Sequence, residues 1–527
     1  MRHYSRRRRN LALICAMTFI FACIFGGCGK SVMAFDSINE GREQIQKLQY
    51  RFSGKLELAD LFQSGMMLCA DRPFQVWGLC QAGEKLTLTL TKEEQVVQVR
   101  EGTAASDHSF CVAFDPVPAS GEPYALKIRA GQEEILLEDI LFGLLFLAGG
   151  QSNMEFKLNA CRDGGSYAQE NAGAAVRFYQ TQPLPLEGAQ YGEYPFLPQF
   201  FGSRGSWGRA SDTVSALSAS AVAFSFACEL SKATGLPVGF VDISVGGSTL
   251  ESWLPRSLME GELSEAAARR NKLISPEQWN QAPENMNQMS ANHNLKVSPL
   301  DHAVFSGVIW YQGESNISDS GYDFFEEGTK ALVGYLAECS GYEPGTMPFV
   351  SVQLAPYAYF ENDQTRLPKL WESQESILDY PMTALIPIYD LPTDYADHPI
   401  HPIVKLPVGS RTALSMQALI EGKPSLARAP RAISASRLSE GGILIQTQAE
   451  NLVADGAVQG FEMAGRDGKF YAAEAELSEN LIFVTCTNVQ EPFEVRYNYH
   501  QTDREGNVTD GRFLLLPFSM TVEEETM

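Results

Sequence analysis

The stretch Ile140-Leu141-Phe142-Gly143-Leu144-Leu145-Phe146-Leu147-Ala148-Gly149-Gly150-Gln151-Ser152-Asn153-Met154 decides how this chain is read. Residues 140–148 carry no charge and no alternation, as in a strand buried on both faces of a parallel sheet. Two glycines follow and permit a tight turn. Ser152 then stands at the carboxyl end of the strand, where open α/β sheets bind ligands. A helix beginning there aims its first N–H groups at an oxyanion. Taken alone, the same residues also describe an ordinary turn with a capping serine.

Four further buried strands are expected downstream: Pro237 to Val245, Val304 to Tyr311, Met347 to Leu354 and Met382 to Asp390. Helical patterns lie between them. One runs from Ala221 to Ala233 and is stopped by Gly235 and Pro237; another runs from Tyr322 to Cys339. Alternating strands and helices predict an α/β fold with a parallel sheet. Upstream, residues near 55–140 alternate with period two, as in Leu86-Thr87-Leu88-Thr89-Leu90, which predicts a β-sandwich. Short alternating strands return after 425 in Ile443-Leu444-Ile445 and Leu481 to Cys486. The expected organisation is a leader at 1–28, a β-sandwich domain at 29–140, an α/β domain at 141–425 and a smaller β domain at 426–527. A chain of 527 residues is long enough for about three such units.

The leader reads MRHYSRRRRN, then an apolar run, then Gly26-Gly27-Cys28. Basic residues before an apolar stretch and small residues describe a secretory signal. The glycines before Cys28 resemble a bacterial lipobox, which predicts lipidation of Cys28 and a membrane tether outside the cytoplasmic membrane. An uncleaved anchor is the alternative, because the apolar run is at the lower limit for a span. The net charge of −23 repels phosphate backbones and argues against nucleic acid as a partner. Seven cysteines lie beyond the leader. Their odd number and scattered positions predict neither a disulfide framework nor a zinc site.

Three other segments carry chemistry. Asp242-Ile243-Ser244-Val245-Gly246-Gly247-Ser248 ends a second buried strand, and its glycines allow backbone N–H groups close to a ligand. Trp310-Tyr311-Gln312-Gly313-Glu314-Ser315-Asn316 ends a third, where Gln312 is a candidate side-chain donor. Glu314 invites a glycosidase reading, but that mechanism needs an opposed carboxylate, and none stands out. Asp397-His398-Pro399-Ile400-His401-Pro402 follows the last strand and supplies histidine. Serine catalysis needs a base near neutrality, held in one tautomer by an acid. Nucleophile, backbone donors, amide donor and base thus gather at one end of the sheet.

Together, Gly150-Gln151-Ser152-Asn153-Met154-Glu155, Ser244-Val245-Gly246-Gly247-Ser248, the 310–316 segment and Ile400-His401-Pro402 resemble the sialate O-acetylesterase family. These are carbohydrate esterases of the SGNH hydrolase superfamily. The resemblance extends into Met66-Met67-Leu68 through Trp77-Gly78 and into Gly460-Phe461-Glu462. It implies an SGNH-type, flavodoxin-like parallel core between the two β domains. It implies a serine esterase acting on an acetylated sugar or glycan, with no metal or organic cofactor. Ser152 is then the nucleophile and His401 the base. The Ser152 N–H, the Gly247 N–H and Gln312 form the oxyanion hole. The chain departs from the family at Gly149 (commonly Ser), Val245 (commonly Trp) and Pro399 (often Asp). The acid beside His401 is therefore open among Asp397, Asp394 and Asp390, with Asp397 preferred because Pro399 turns the chain between them. An acetylxylan or other polysaccharide esterase, and a glycan-binding lipoprotein without activity, are the alternatives.

Overall fold

Glu133–Gly150 is a single strand of 18 residues, seen in a computed structural model that describes residues 52–181, 205–270, 287–300, 302–317, 321–393, 400–439 and 441–523. The leader with Cys28, and the segment holding Asp394, Asp397 and His398, lie outside the described residues. The first part of the long strand alternates between exposed and covered positions, and the last part is almost wholly buried. It pairs antiparallel with Ser120–Ala130 over its first part. Over its second part it is flanked in parallel by Val238–Asp242 and Gly307–Tyr311.

The sheet is consequently mixed and has eleven strands: the expected parallel run is present, and antiparallel strands extend it. Its parallel part runs in the order Val176–Thr181, Val238–Asp242, Glu133–Gly150, Gly307–Tyr311, Phe349–Val352, Thr383–Ile386, and Gly205–Arg209 adds an antiparallel edge. The hydrophobic pattern changes near residue 140 because the strand's surroundings change there, not because the backbone breaks. The boundary expected at 140/141 thus falls inside one strand.

A second sheet, Glu57–Leu58, Phe74–Leu79 and Ser109–Phe114, packs on the first part of the long strand. Phe74 meets Phe142 with ring centroids 5.3 Å apart. One hydrophobic cluster joins these strands to the α/β layers. The expected helices form at Ala221–Thr234 and Tyr322–Cys339. The Ser220 hydroxyl caps the first by accepting from Ala223 N at 3.1 Å, and Gly235 closes it in the left-handed region. Helix Leu406–Ile420, with Pro407 in its first turn, packs against it. The last strands form two four-stranded antiparallel sheets and a two-stranded ribbon around a separate core that includes Ile445, Met463 and Tyr497. Tyr389, just past the last parallel strand, joins this second core, its hydroxyl donating to the Leu515 carbonyl at 2.9 Å.

Candidate active site

The turn after the long strand is held by its neighbour. Gly150 has φ 138°, and a Cβ there would lie 2.1 Å from the Tyr311 carbonyl oxygen. Only glycine lets the backbone pass so close at that angle. The departure at Gly149 has a similar cause, since a side chain there would strike the Trp310 ring at 2.3 Å. Ser152 then opens the short helix Ser152–Glu155.

His401 comes to this serine from far along the chain. Its Nε2 is 2.8 Å from Ser152 Oγ. A neutral imidazole protonated on Nδ1 accepts the hydroxyl proton in this geometry. The remaining described histidines are engaged elsewhere. His293 bonds to Tyr335 and Asn294, His302 packs on Trp77, and His108 accepts from Ala82 N. His500 bonds to Asp503.

The glycine loop at 244–248 lies directly against Ser152. A Cβ on Gly246 would be 3.6 Å from the Ser152 Cβ and 2.8 Å from Glu155 Oε2. Glu155 Oε2 accepts from Gly246 N at 2.8 Å, which fixes the plane of the peptide next to Gly247. Asp242 holds the start of the loop by accepting from the Ser244 N–H and hydroxyl. Among the described residues, neither the Ser152 N–H nor the Gly247 N–H has an acceptor. Both belong to segments that touch, which suits an oxyanion hole.

Gln312 is placed differently from the sequence expectation. It is fully buried, and its Nε2 donates to Asn316 Oδ1 at 2.7 Å and to the Ser248 carbonyl at 3.1 Å, with Gln151 Oε1 at 3.3 Å. An amide nitrogen has two hydrogens, and these acceptors occupy both. Gln312, expected as the side-chain oxyanion donor, here ties the glycine loop to the 310–316 segment. Gln151 strengthens the tie, because its Oε1 also accepts from Gly313 N and Ser315 N, each at 3.2 Å.

Glu314, the residue that invites a glycosidase reading, faces no second carboxylate among its bonded partners. It takes a 2.5 Å hydrogen bond from Asn153 Nδ2, and Asn153 Oδ1 accepts from Lys405 Nζ at 2.5 Å. Asn153 Nδ2 also donates to the Ile400 carbonyl at 3.0 Å. Burial raises the Glu314 carboxyl above its ordinary range and lowers the Lys405 ammonium to about 7. Sequence reading missed Asn153, Lys405 and Glu155 as parts of the site. Lys405 carried no signal, since a lysine beside Pro407 reads as an exposed helix start.

Of the three candidate acids, the structure locates Asp390. Its carboxylate is gripped by both arms of Arg411, at 2.7 and 2.5 Å. Asp394 and Asp397 lie outside the described residues.

A family model described as carbohydrate esterase, sialic acid-specific acetylesterase, matches residues 201–416. That span contains Gly247, Gln312 and His401 and begins after Ser152. The human sialate O-acetylesterase is 26% identical over 379 residues, covering 67% of this chain and 68% of the human protein. The rat enzyme of that name is 23% identical over 398 residues, covering 67% and 71%. A crystal structure of a carbohydrate acetylesterase from Xanthomonas citri superposes with a TM-score of 0.74 at 28% identity, covering 88% of this chain and 99% of that one. With a serine and a histidine in contact at the end of a mixed α/β sheet, the chain is a hydrolase of ester bonds that is similar to sialate O-acetylesterases and to a carbohydrate acetylesterase.

Proposed function

We propose that this esterase removes O-acetyl groups from sugars, sialic acids first among them, with Ser152 as nucleophile and His401 as general base. The contact of 2.8 Å between Ser152 Oγ and His401 Nε2 carries the reading. As Ser152 Oγ bonds to the acetyl carbon, its proton passes to His401. The Ser152 and Gly247 N–H groups receive the oxyanion. The bond to the sugar oxygen then breaks, and His401 returns the proton to that oxygen. A water deprotonated by His401 attacks the acetyl-serine; the bond to Ser152 Oγ breaks as His401 returns the proton to that oxygen, and acetate leaves. Asp397 is the carboxylate proposed to orient His401. We read residues 141–425 as the catalytic part, between β domains at 29–140 and 426–527.

Acetylated polysaccharide is the second substrate reading. The Xanthomonas citri protein, a carbohydrate acetylesterase whose likeness covers more of this chain than the human sialate enzyme does, supports an acetylated carbohydrate without singling out sialic acid. Acetate release from O-acetylated sialic acids, acetylated xylan and an aryl acetate separates the two. Activity on the aryl acetate alone would refute both sugar assignments, and no activity at all would favour a glycan-binding protein. For location, the basic start and Gly26-Gly27-Cys28 support export and a lipid tether at Cys28. Among the described residues no helix is long and apolar enough to cross a membrane.

A further inference from the structure

Asn153 follows the nucleophile, and Ile400 precedes the base. Neither His401 nor Ile400 lies in a helix or strand; the helix that follows begins at Leu406. The position of the imidazole therefore depends on side-chain anchors. One such anchor is in view. The Asn153 amide is 1% exposed, and all its hydrogen-bonding groups are used: one N–H on Glu314 Oε1, the other on the Ile400 carbonyl, and its oxygen on Lys405 Nζ. Turned over, the amide would set its oxygen against two acceptors and its NH₂ against a donor group. Lys405 on one side and Glu314 on the other thus leave it a single orientation.

We propose that Asn153 is a positioning residue for His401, acting through the Ile400 carbonyl, and that buried Lys405 and Glu314 serve to lock its amide. The proposal rests on the reading of Ser152 and His401 given above. Stability is a poor explanation for the cluster. Burying a lysine and a glutamate costs desolvation that their attraction seldom exceeds, and apolar replacements are often neutral or better. Lys405 has Asn153 as its hydrogen-bond acceptor here, with the Phe156 and Tyr311 rings 5.3 and 5.4 Å away. What the cluster does define is the direction of one N–H. A misplacement of about 1 Å in a reacting group can cost about 10²-fold in rate.

The test is the double variant Asn153→Asp/Glu314→Gln. It conserves the charge of the cluster. The new carboxylate at 153 still accepts from Lys405 and now accepts from the new amide at 314, but nothing donates to Ile400. kcat, KM and the pH profile of kcat/KM are measured on an aryl acetate, with urea unfolding alongside. The expected result is a kcat lower by about 10²-fold, KM changed less than threefold, an altered acid limb in the pH profile and near-normal unfolding. Wild-type kcat in the folded double variant would overturn the proposal, as would a rise in KM alone. Glu314→Gln by itself keeps the donor to Ile400 and should lower kcat by less than about tenfold. A 10²-fold or greater loss in that single variant would overturn the proposal even if the double variant failed to fold. Ser152→Ala separates the two levels. An active Ser152→Ala protein would remove the underlying reading, whereas an inactive one beside an active double variant would remove only the role of Asn153.

Discussion

Arg411 meets Asp390 with a two-armed grip, Nη1 to Oδ1 at 2.7 Å and Nη2 to Oδ2 at 2.5 Å. The arginine lies on the helix that follows His401, and the aspartate follows the last parallel strand. A carboxylate so held closes the strand to the helix and is not available to turn toward an imidazole.

The carboxylate proposed to orient His401 should accordingly be found by comparing two amide replacements. Asp390→Asn weakens a two-armed but solvent-accessible ion pair and should lower stability by about 1 kcal/mol or less, with kcat within about tenfold of wild type. Asp397→Asn should lower kcat by as much as ~10⁴-fold at near-normal stability. Thermal melts and acetate release read both quantities, and the opposite pattern would give the catalytic role to Asp390. If both left kcat near wild type, Asp394→Asn becomes the decisive variant.

Gln312→Ala should reduce stability and turnover together. The change strips the Ser248 carbonyl and Asn316 Oδ1 of their shared donor and leaves a cavity, at a cost of about 2–4 kcal/mol. The glycine loop against Ser152 loosens as a result. A fall in kcat of about 10²–10³-fold with unchanged urea midpoint would show instead that Gln312 donates directly to the oxyanion.

Much of this arrangement is legible in the chain alone. Ile140 to Ala148 reads as a buried strand because no polar residue interrupts it, and Ser152 and His401 are marked by the motifs around them. Other parts are hidden for physical reasons. Val176–Thr181 ends the parallel run of the sheet and carries Arg177, whose charge breaks the apolar pattern; the arginine is tolerated because Asp139 pairs with it at 2.7 Å. The continuity of the sheet through residue 140 is hidden because one strand changes its surroundings midway. Lys405 and Asn153 are 252 positions apart, so local pattern cannot join them. Gln312 is recognisable as a site residue by its motif, but which acceptors take its hydrogens is a matter of packing.

Lys405 gives the protein a distinctive alkaline behaviour. Its pKa is lowered by burial from 10.5 to about 7. Between those values the unfolded chain holds a proton that the folded protein has released, so unfolding takes up a proton and stability rises with pH. The benefit is complete above 10.5 and is lost as the pH falls through 7. Lys405→Met removes this contribution. Between pH 7 and 9.5 the wild type should gain up to about 3 kcal/mol relative to the variant, measured by urea unfolding at each pH. Parallel stability curves for the two proteins would contradict the burial of a titrating lysine.

Cys28→Ala should move the full-length protein out of the membrane fraction of an expressing bacterium, and radiolabelled fatty acid should mark wild type but not the variant. Stable anchoring needs more than one acyl chain, so a label at Cys28 together with salt-resistant membrane binding is the expected pair of results. An unlabelled wild-type protein would refute the tether.

The central claim is that Ser152, activated by His401, removes acetyl groups from sugars. Acetate released from O-acetylated sialic acid by the purified enzyme, beside its Ser152→Ala variant, tests it most directly. The account predicts steady turnover by the wild type and, in the folded variant, a loss on the order of 10⁶-fold. Comparable acetate release by the two proteins, or none from any acetylated sugar by the wild type, would contradict it.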